Sequence, residues 1–209
     1  MSLFPMPFKK LNPEIKEKLE KFEIITPTPF QTKSIPVIKS GANVYCSAPK
    51  GSGKTTTLIL TTLQKLKFEP LGDAPRAVVL VENKEKALEM FEAFEKYTQH
   101  KEIRVYVGYE ELHIDIQKSE IFMGVDILIS TPKTLNKLFL TNGVSSSQLK
   151  ILSVDDAEFL AQKSNYTAIM AVTQTIKRCQ YVLYTEKIHP MLKRFEAHFM
   201  EFAKKVEVS

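Results

Sequence analysis

The apolar positions of this chain fall into short, nearly continuous runs separated by longer stretches of mixed character. Asn43-Val44-Tyr45-Cys46-Ser47-Ala48 is the first run and Arg76-Ala77-Val78-Val79-Leu80-Val81 the second. Ile103 to Val107, Asp126 to Ser130, Lys150 to Val154 and Tyr181 to Tyr184 follow. Runs that are apolar at nearly every position suit strands covered on both faces, as in a parallel sheet. The stretches between them have helical spacing: about 54 to 66, 84 to 97, more weakly 112 to 122, from Pro132 onward, and after each of the last two strands. Leu88, Phe91, Phe94 and Tyr97 are spaced to form the core stripe of the second of these helices. This alternation predicts an α/β doubly wound fold, a mostly parallel sheet with helices on both faces. Ligands of such folds sit beyond the carboxyl ends of the strands, so chemistry is sought in the residues that follow each strand.

Before the first strand lie about 40 residues. Asn12-Pro13-Glu14 is a helix start, with Asn as cap and Pro at the first helical position. A second helix is expected from near Pro29 to just before Gly41, and Pro36 argues against its being unbroken. No internal repeat or low-complexity tract occurs.

Length and composition narrow the class. At 209 residues, against a prior of about 150 per domain, the length allows one large domain or two small ones joined tightly. The densest apolar stretch, Ala77 to Val81, is far short of the roughly 20 residues a membrane helix needs. The opening MSLFPMPFKK lacks the apolar core and cleavage site of a secretory signal. Cys46 and Cys179 are too few for a disulfide framework or a structural zinc site, so a reducing, cytoplasmic setting is expected. His100, His113, His189 and His198 have no metal-ligand spacing. The net charge is +5. Residues 1–67 hold 11 Lys against 4 acidic residues, so the surplus sits in the N-terminal third. That suits a phosphate-rich partner without requiring one.

The residues after the first strand carry the most specific chemistry. Ala48-Pro49-Lys50-Gly51-Ser52-Gly53-Lys54-Thr55-Thr56 matches a phosphate-binding loop from Gly53 onward, with Ala48 where the strict form has Gly. Gly51 and Gly53 let the backbone curl so that N–H groups face phosphate oxygens, and the following helix adds its positive end. In this reading Lys54 reaches the β- and γ-phosphates and the Thr55 hydroxyl ligates Mg²⁺.

Upstream stands Phe22-Glu23-Ile24-Ile25-Thr26-Pro27-Thr28-Pro29-Phe30-Gln31. Together with the loop, this segment closely resembles the DEAD-box RNA helicases of superfamily two, and the resemblance runs over the whole chain. It implies a single RecA-like, P-loop NTPase domain. Residues 1–40 would form its adenine-reading extension, the first domain would end at Lys205-Val206-Glu207-Val208, and no room would remain for a second RecA-like domain. It implies ATP and Mg²⁺ as cofactors and RNA backbone, held without regard to sequence, as a partner. A partner protein or a separate second RecA-like domain would complete the enzyme. Gln31 would read adenine through its carboxamide, which offers one donor and one acceptor. Phe8 would either stack on the base or anchor the N-terminal arm.

The same resemblance assigns roles to the other strand ends. Asp155, in Val154-Asp155-Asp156-Ala157-Glu158, would hold Mg²⁺ through water, or else the acids cap a helix. Asp156 would orient the attacking water. The family has Glu there, so the carboxylate retreats by roughly 1–1.5 Å, and a misplacement near 1 Å can cost on the order of 100-fold in rate. Lys54, Asp155 and Asp156 are thus the catalytic candidates. Glu158 and Thr185 would couple hydrolysis to RNA, although Glu186 and Lys187 depart from the family's Ser-Ala-Thr. RNA backbone would be faced by Lys84, by Gly108 (where the family's Gly pair is reduced to Gly108-Tyr109), and by Thr131, Pro132 and Lys133. Thr131-Pro132 also reads as a plain helix start. The resulting expectation is an ATP- and RNA-binding domain, a weak RNA-dependent ATPase and not a helicase by itself. The alternatives are a non-catalytic module that binds RNA or a partner protein, and a small-molecule phosphotransferase.

Overall fold

The computed structural model describes residues 4–209; the first three residues of the N-terminal stretch read above lie outside them. After a 3₁₀ turn at Phe8–Lys10 come α1 (Pro13–Lys21) and α2 (Pro29–Lys39), then β1 (Val44–Ser47) and α3 (Lys54–Lys65). β2 (Ala77–Leu80), α4 (Lys84–Thr98), β3 (Val105–Gly108), α5 (Ile114–Phe122), β4 (Ile127–Ser130) and α6 (Pro132–Leu140) follow. β5 (Ile151–Val154), α7 (Lys163–Thr175), β6 (Gln180–Thr185), the single turn α8 (Pro190–Lys193) and β7 (Lys204–Glu207) complete the chain. The strands form one seven-stranded sheet in the order β3-β4-β2-β5-β6-β1-β7. Every pairing is parallel.

Alternate strand residues feed two cores. Val44, Cys46, Ala77, Val79, Ile127 and Ile129 point to the face covered by α1 to α4. Tyr45, Val78, Leu80, Leu128, Leu152 and Leu183 point to the face covered by α6, α7 and α8. Two opposite apolar faces explain why the strands read as continuous apolar runs.

Two expectations need correction, and one strand is new. The stripe of α4 runs through Ala87, Met90, Phe94 and Tyr97, while Leu88 is 41% exposed. Phe91, Phe94 and Tyr97 pack on the core at the expected spacing, and only Leu88 falls outside the buried arc, which Ala87 and Met90 complete. α2 runs unbroken through Pro36. Burial of Phe30, Ile35 and Ile38, at about 1.5–3 kcal/mol each, outweighs the roughly 3 kcal/mol that an interior proline costs. β7 is a strand the apolar pattern does not announce. Only Val206 of its four residues is buried, and pairing with β1 is what makes it extended.

Charge also organises the amino ends of the strands. Asp126, fully buried just before β4, accepts from Arg76 Nη2 at 2.7 Å, Arg104 Nε at 2.9 Å and the backbone N–H groups of Leu71 and Arg104. Burial pushes this carboxyl up, but the two guanidinium groups and two amides hold it below its ordinary range.

Candidate functional site

The loops after β1, β5 and β6 meet at one edge of the sheet, because β6 lies between β5 and β1. The phosphate loop leaves β1 and turns through Gly51 (φ 76°) and Gly53 (φ 91°), a region that favours glycine. At Gly51 a Cβ would meet no atom within 4 Å, so the loop is open on that side. Lys54, 7% exposed, donates to the carbonyl oxygens of Ala48 (2.7 Å) and Pro49 (3.1 Å). An ammonium has three protons, so one remains for an arriving anion. Thr55 is exposed and Thr56 half-buried at the first turn of α3. Pro49 and Lys50 are exposed on the outer flank of the loop, where Lys50 lies 3.7 Å from the Glu186 carboxylate. Both groups of that pair face solvent, so it contributes little to stability.

Gln31 is tied to the same loop through Thr28. The Thr28 hydroxyl caps α2 by accepting from the Gln31 N–H (3.2 Å), and Gln31 Oε1 accepts in return from the Thr28 N–H (2.9 Å). The Thr28 hydroxyl also donates to Ser52 O at 2.7 Å. A Cβ on Gly53 would stand 2.7 Å from Gln31 Nε2. The glycine thus admits the amide against the loop, and Gln31 is 3% exposed. Only the Thr-x-x-Gln spacing of a capping box signals Thr28 in the sequence. Phe8 is placed differently from its base-stacking reading. Its ring is fully buried, edge-on to Phe4 in the core, because the 3₁₀ turn packs inward beside α1.

Across the cleft, Asp155 follows β5 and its N–H donates to Leu80 O at 3.0 Å. Its Oδ1 is buried without a partner among the described residues. Burial and the neighbouring Asp156 push the carboxyl up to about 7, while Lys54, Lys86 and the Thr55 hydroxyl pull it back. A buried carboxylate beside a like charge and a hydroxyl is stabilised by a divalent cation, so these residues fit Mg²⁺. The unpartnered, buried hydroxyl of Ser52 in the phosphate loop fits a ligand oxygen as well. Asp156 is exposed, with left-handed backbone at φ 44°, and borders a cavity of about 820 Å³ shared with Lys50, Glu82 and Glu158.

Glu158 and Thr185 touch: Glu158 Oε1 accepts from the Thr185 hydroxyl and from the Glu186 N–H at 2.5 Å. The loop after β5 is thereby joined to the end of β6. Ala48 N–H donates to Thr185 O at 3.1 Å, which carries the connection into the phosphate loop.

The ends of β2, β3 and β4 bring the remaining candidates together but occupy them. Lys84 Nζ lies over the Tyr109 ring, 5.2 Å from its centre. Thr131 and Pro132 are buried at the start of α6, where the Thr131 hydroxyl accepts from the Thr134 N–H (3.2 Å) and donates to Glu110 Oε1 (2.9 Å). Lys133 is exposed. Gly108 is buried, and its lack of a side chain admits Gln117, whose Oε1 would stand 2.5 Å from a Cβ there. Among the described residues no group of three or more His, Cys, Asp or Glu could hold a metal by itself, and no helix is long and apolar enough to cross a membrane.

An all-parallel sheet in this strand order, with a glycine loop after β1 and acids after β5, defines a P-loop domain of the RecA type. The DEAD/DEAH box helicase family model matches residues 28–189. The chain belongs to that family. It is 26% identical over 203 residues to the ATP-dependent RNA helicase DeaD of Buchnera aphidicola, covering 96% of this chain and 33% of the relative. It is 31% identical over 138 residues to the probable ATP-dependent RNA helicase ddx52 of Dictyostelium discoideum, covering 66% and 20%. Among solved structures, a DEAD box protein from the hyperthermophile Methanococcus jannaschii superposes with a TM-score of 0.87 at 16% identity, covering 96% of this chain and 55% of that one. An S. cerevisiae Dbp5 variant bound to RNA and ADP BeF3 superposes with a TM-score of 0.86 at 18% identity, covering 100% and 52%. The chain therefore spans a third or less of these curated relatives and about half of the solved chains.

Proposed function

We propose that this domain binds ATP with Mg²⁺, holds RNA backbone at the ends of β2 to β4, and hydrolyses ATP weakly when RNA is present. The observation that carries the reading is Asp155: a buried carboxylate oxygen without a partner among the described residues, beside the Thr55 hydroxyl and within the field of Lys54. Gly51, Ser52, Gly53, Lys54, Thr55 and Thr56 bind the phosphates, with Ala48, Pro49 and Lys50 shaping the loop. Gln31 reads adenine with Nε2 as donor and the free lone pair of Oε1 as acceptor. Thr55 and Asp155 hold Mg²⁺, which when bound offsets the charge that builds on phosphate oxygens. Asp156 orients water from the cavity side. The contact between Glu158 and Thr185 relays the state of the site to the neighbouring strand ends. Lys84, Gly108, Thr131, Pro132 and Lys133 form the RNA face. Unwinding would need a second RecA-like domain, whose arginine is worth about 10³–10⁵ in rate in related nucleotide hydrolases. The free thiols of Cys46 and Cys179 are compatible with a cytoplasmic setting.

A Lys54→Ala variant is expected to bind ATP about tenfold or more weakly, since a charge-assisted hydrogen bond contributes roughly 1.5–3 kcal/mol. Calorimetric titration with ATP and Mg²⁺ checks this, and an unchanged Kd would sink the site. A Gly53→Ala variant should lose about 1–2 kcal/mol of stability from the left-handed backbone. It should also unseat Gln31, read as a smaller preference for ATP over GTP; an intact preference would remove Gln31 as the base reader.

Asp156 in place of Glu, with Glu186 and Lys187 in the coupling turn, favours a second reading, a binding module without turnover. ATP binding with no RNA-stimulated phosphate release, measured with Mg²⁺ present, would establish it over the first.

A further inference from the structure

The loop between β3 and α5 crosses the amino end of α6, and three contacts fix it there. Glu110 Oε1 accepts from the Thr131 hydroxyl at 2.9 Å. The ring of Tyr109 carries the Lys84 ammonium, 5.2 Å from its centre. Beneath them, Gln117 of α5, 1% exposed, donates through Nε2 to Tyr109 O (3.0 Å) and Leu112 O (2.9 Å). Gly108 makes this clamp possible, because any Cβ there would collide with the Gln117 side chain. Glu110 is an exposed residue, yet the buried Gln117 amide holds the backbone on either side of it, at Tyr109 and Leu112, and a buried hydroxyl holds its carboxylate.

We infer that Glu110 is a built-in competitor of the RNA phosphate at the amino end of α6. The inference rests on the RNA face proposed above and states how that face is regulated. The Thr131 hydroxyl has one proton, so it cannot donate to Glu110 and to a phosphate at once. The positive end of the helix stabilises whichever anion lies there, and the carboxylate is already present at no cost in association. The same loop also engages a cation of the face, Lys84, by a cation–π contact. Phosphate binding therefore requires the Tyr109–Glu110 segment to move aside. The apparent affinity is reduced by the fraction of molecules in which it has moved.

Inorganic phosphate and a mixed-sequence single-stranded RNA oligonucleotide separate the cover from the RNA reading. In the Glu110→Ala variant, phosphate should shift the backbone amide signals of Lys133 and Thr134 at about tenfold lower concentration than in the native chain. Glu110→Gln, which keeps an acceptor and loses the charge, should fall between. RNA affinity by fluorescence polarisation should rise about tenfold in Glu110→Ala. Equal phosphate titrations at Lys133 and Thr134 in native and variant protein would overturn the inference. A phosphate response in Glu110→Ala without any gain in RNA affinity would uphold the cover and overturn the RNA reading.

Discussion

An Asp156→Glu variant is expected to hydrolyse ATP on the order of 100-fold faster than the native chain. The native carboxylate stands at the end of a short side chain, and a shortfall near 1 Å at a water-orienting group costs about that much. The variant restores the reach without altering charge. Asp156 borders an open cavity of about 820 Å³, so the added methylene has room. Its backbone sets the opposing effect: at φ 44° a longer side chain is less favoured than Asp, a cost on the order of 1–2 kcal/mol at most. That cost falls on folding stability, while the gain of roughly 2.7 kcal/mol falls on the chemical step. The two are read by different experiments. Single-turnover phosphate release with saturating ATP, Mg²⁺ and RNA reports the gain, and a denaturant titration reports the cost. No acceleration with a normal fold would mean that the second acid does not limit turnover, and would favour the module that binds without hydrolysis.

Asp126→Asn should destabilise the fold by about 3–5 kcal/mol, the usual consequence of removing one partner from a buried ion pair. Arg76 is almost fully buried, and after the substitution its charge would stay inside without a counter-charge. Arg104 is partly exposed and would turn to solvent, so its share of the loss is smaller. The pH dependence has a fixed sign. The folded carboxyl titrates below its ordinary value of 3.8. Its contribution is therefore complete above that value and is lost as pH falls through the folded one. Urea titrations between about pH 5 and 2 should show native stability falling in this acid range, with a shallower fall in the Asn variant. Equal stability of the two proteins at pH 7 would show that the guanidinium pair is held by other groups.

Asp126 also marks a limit of reading from sequence. In the chain it is one polar residue opening an apolar run, and nothing nearby in sequence names Arg76 or Arg104 as its partners. Those contacts span 50 and 22 residues and exist only because β2, β3 and β4 are neighbours. β7 escaped for a related reason, since an edge strand with one inward side chain has no period to detect. The glycine loop was legible because its chemistry is local: glycines, a lysine and a hydroxyl within a few residues carry the proposed anion site in their own backbone geometry.

The sequence by itself determined the parallel α/β class, the glycine loop after β1, the Thr28-to-Gln31 start of α2 and the acids after β5. Apolar runs dictate strands, and short motifs carry their own backbone geometry. Tertiary structure decided whether each candidate is free to act. Phe8 is spent in the core, Glu158 is joined to Thr185, and Thr131 already holds Glu110. Hydrogen-bonding capacity is finite, and which partner uses it depends on the order of strands in the sheet, a property of the folded chain alone.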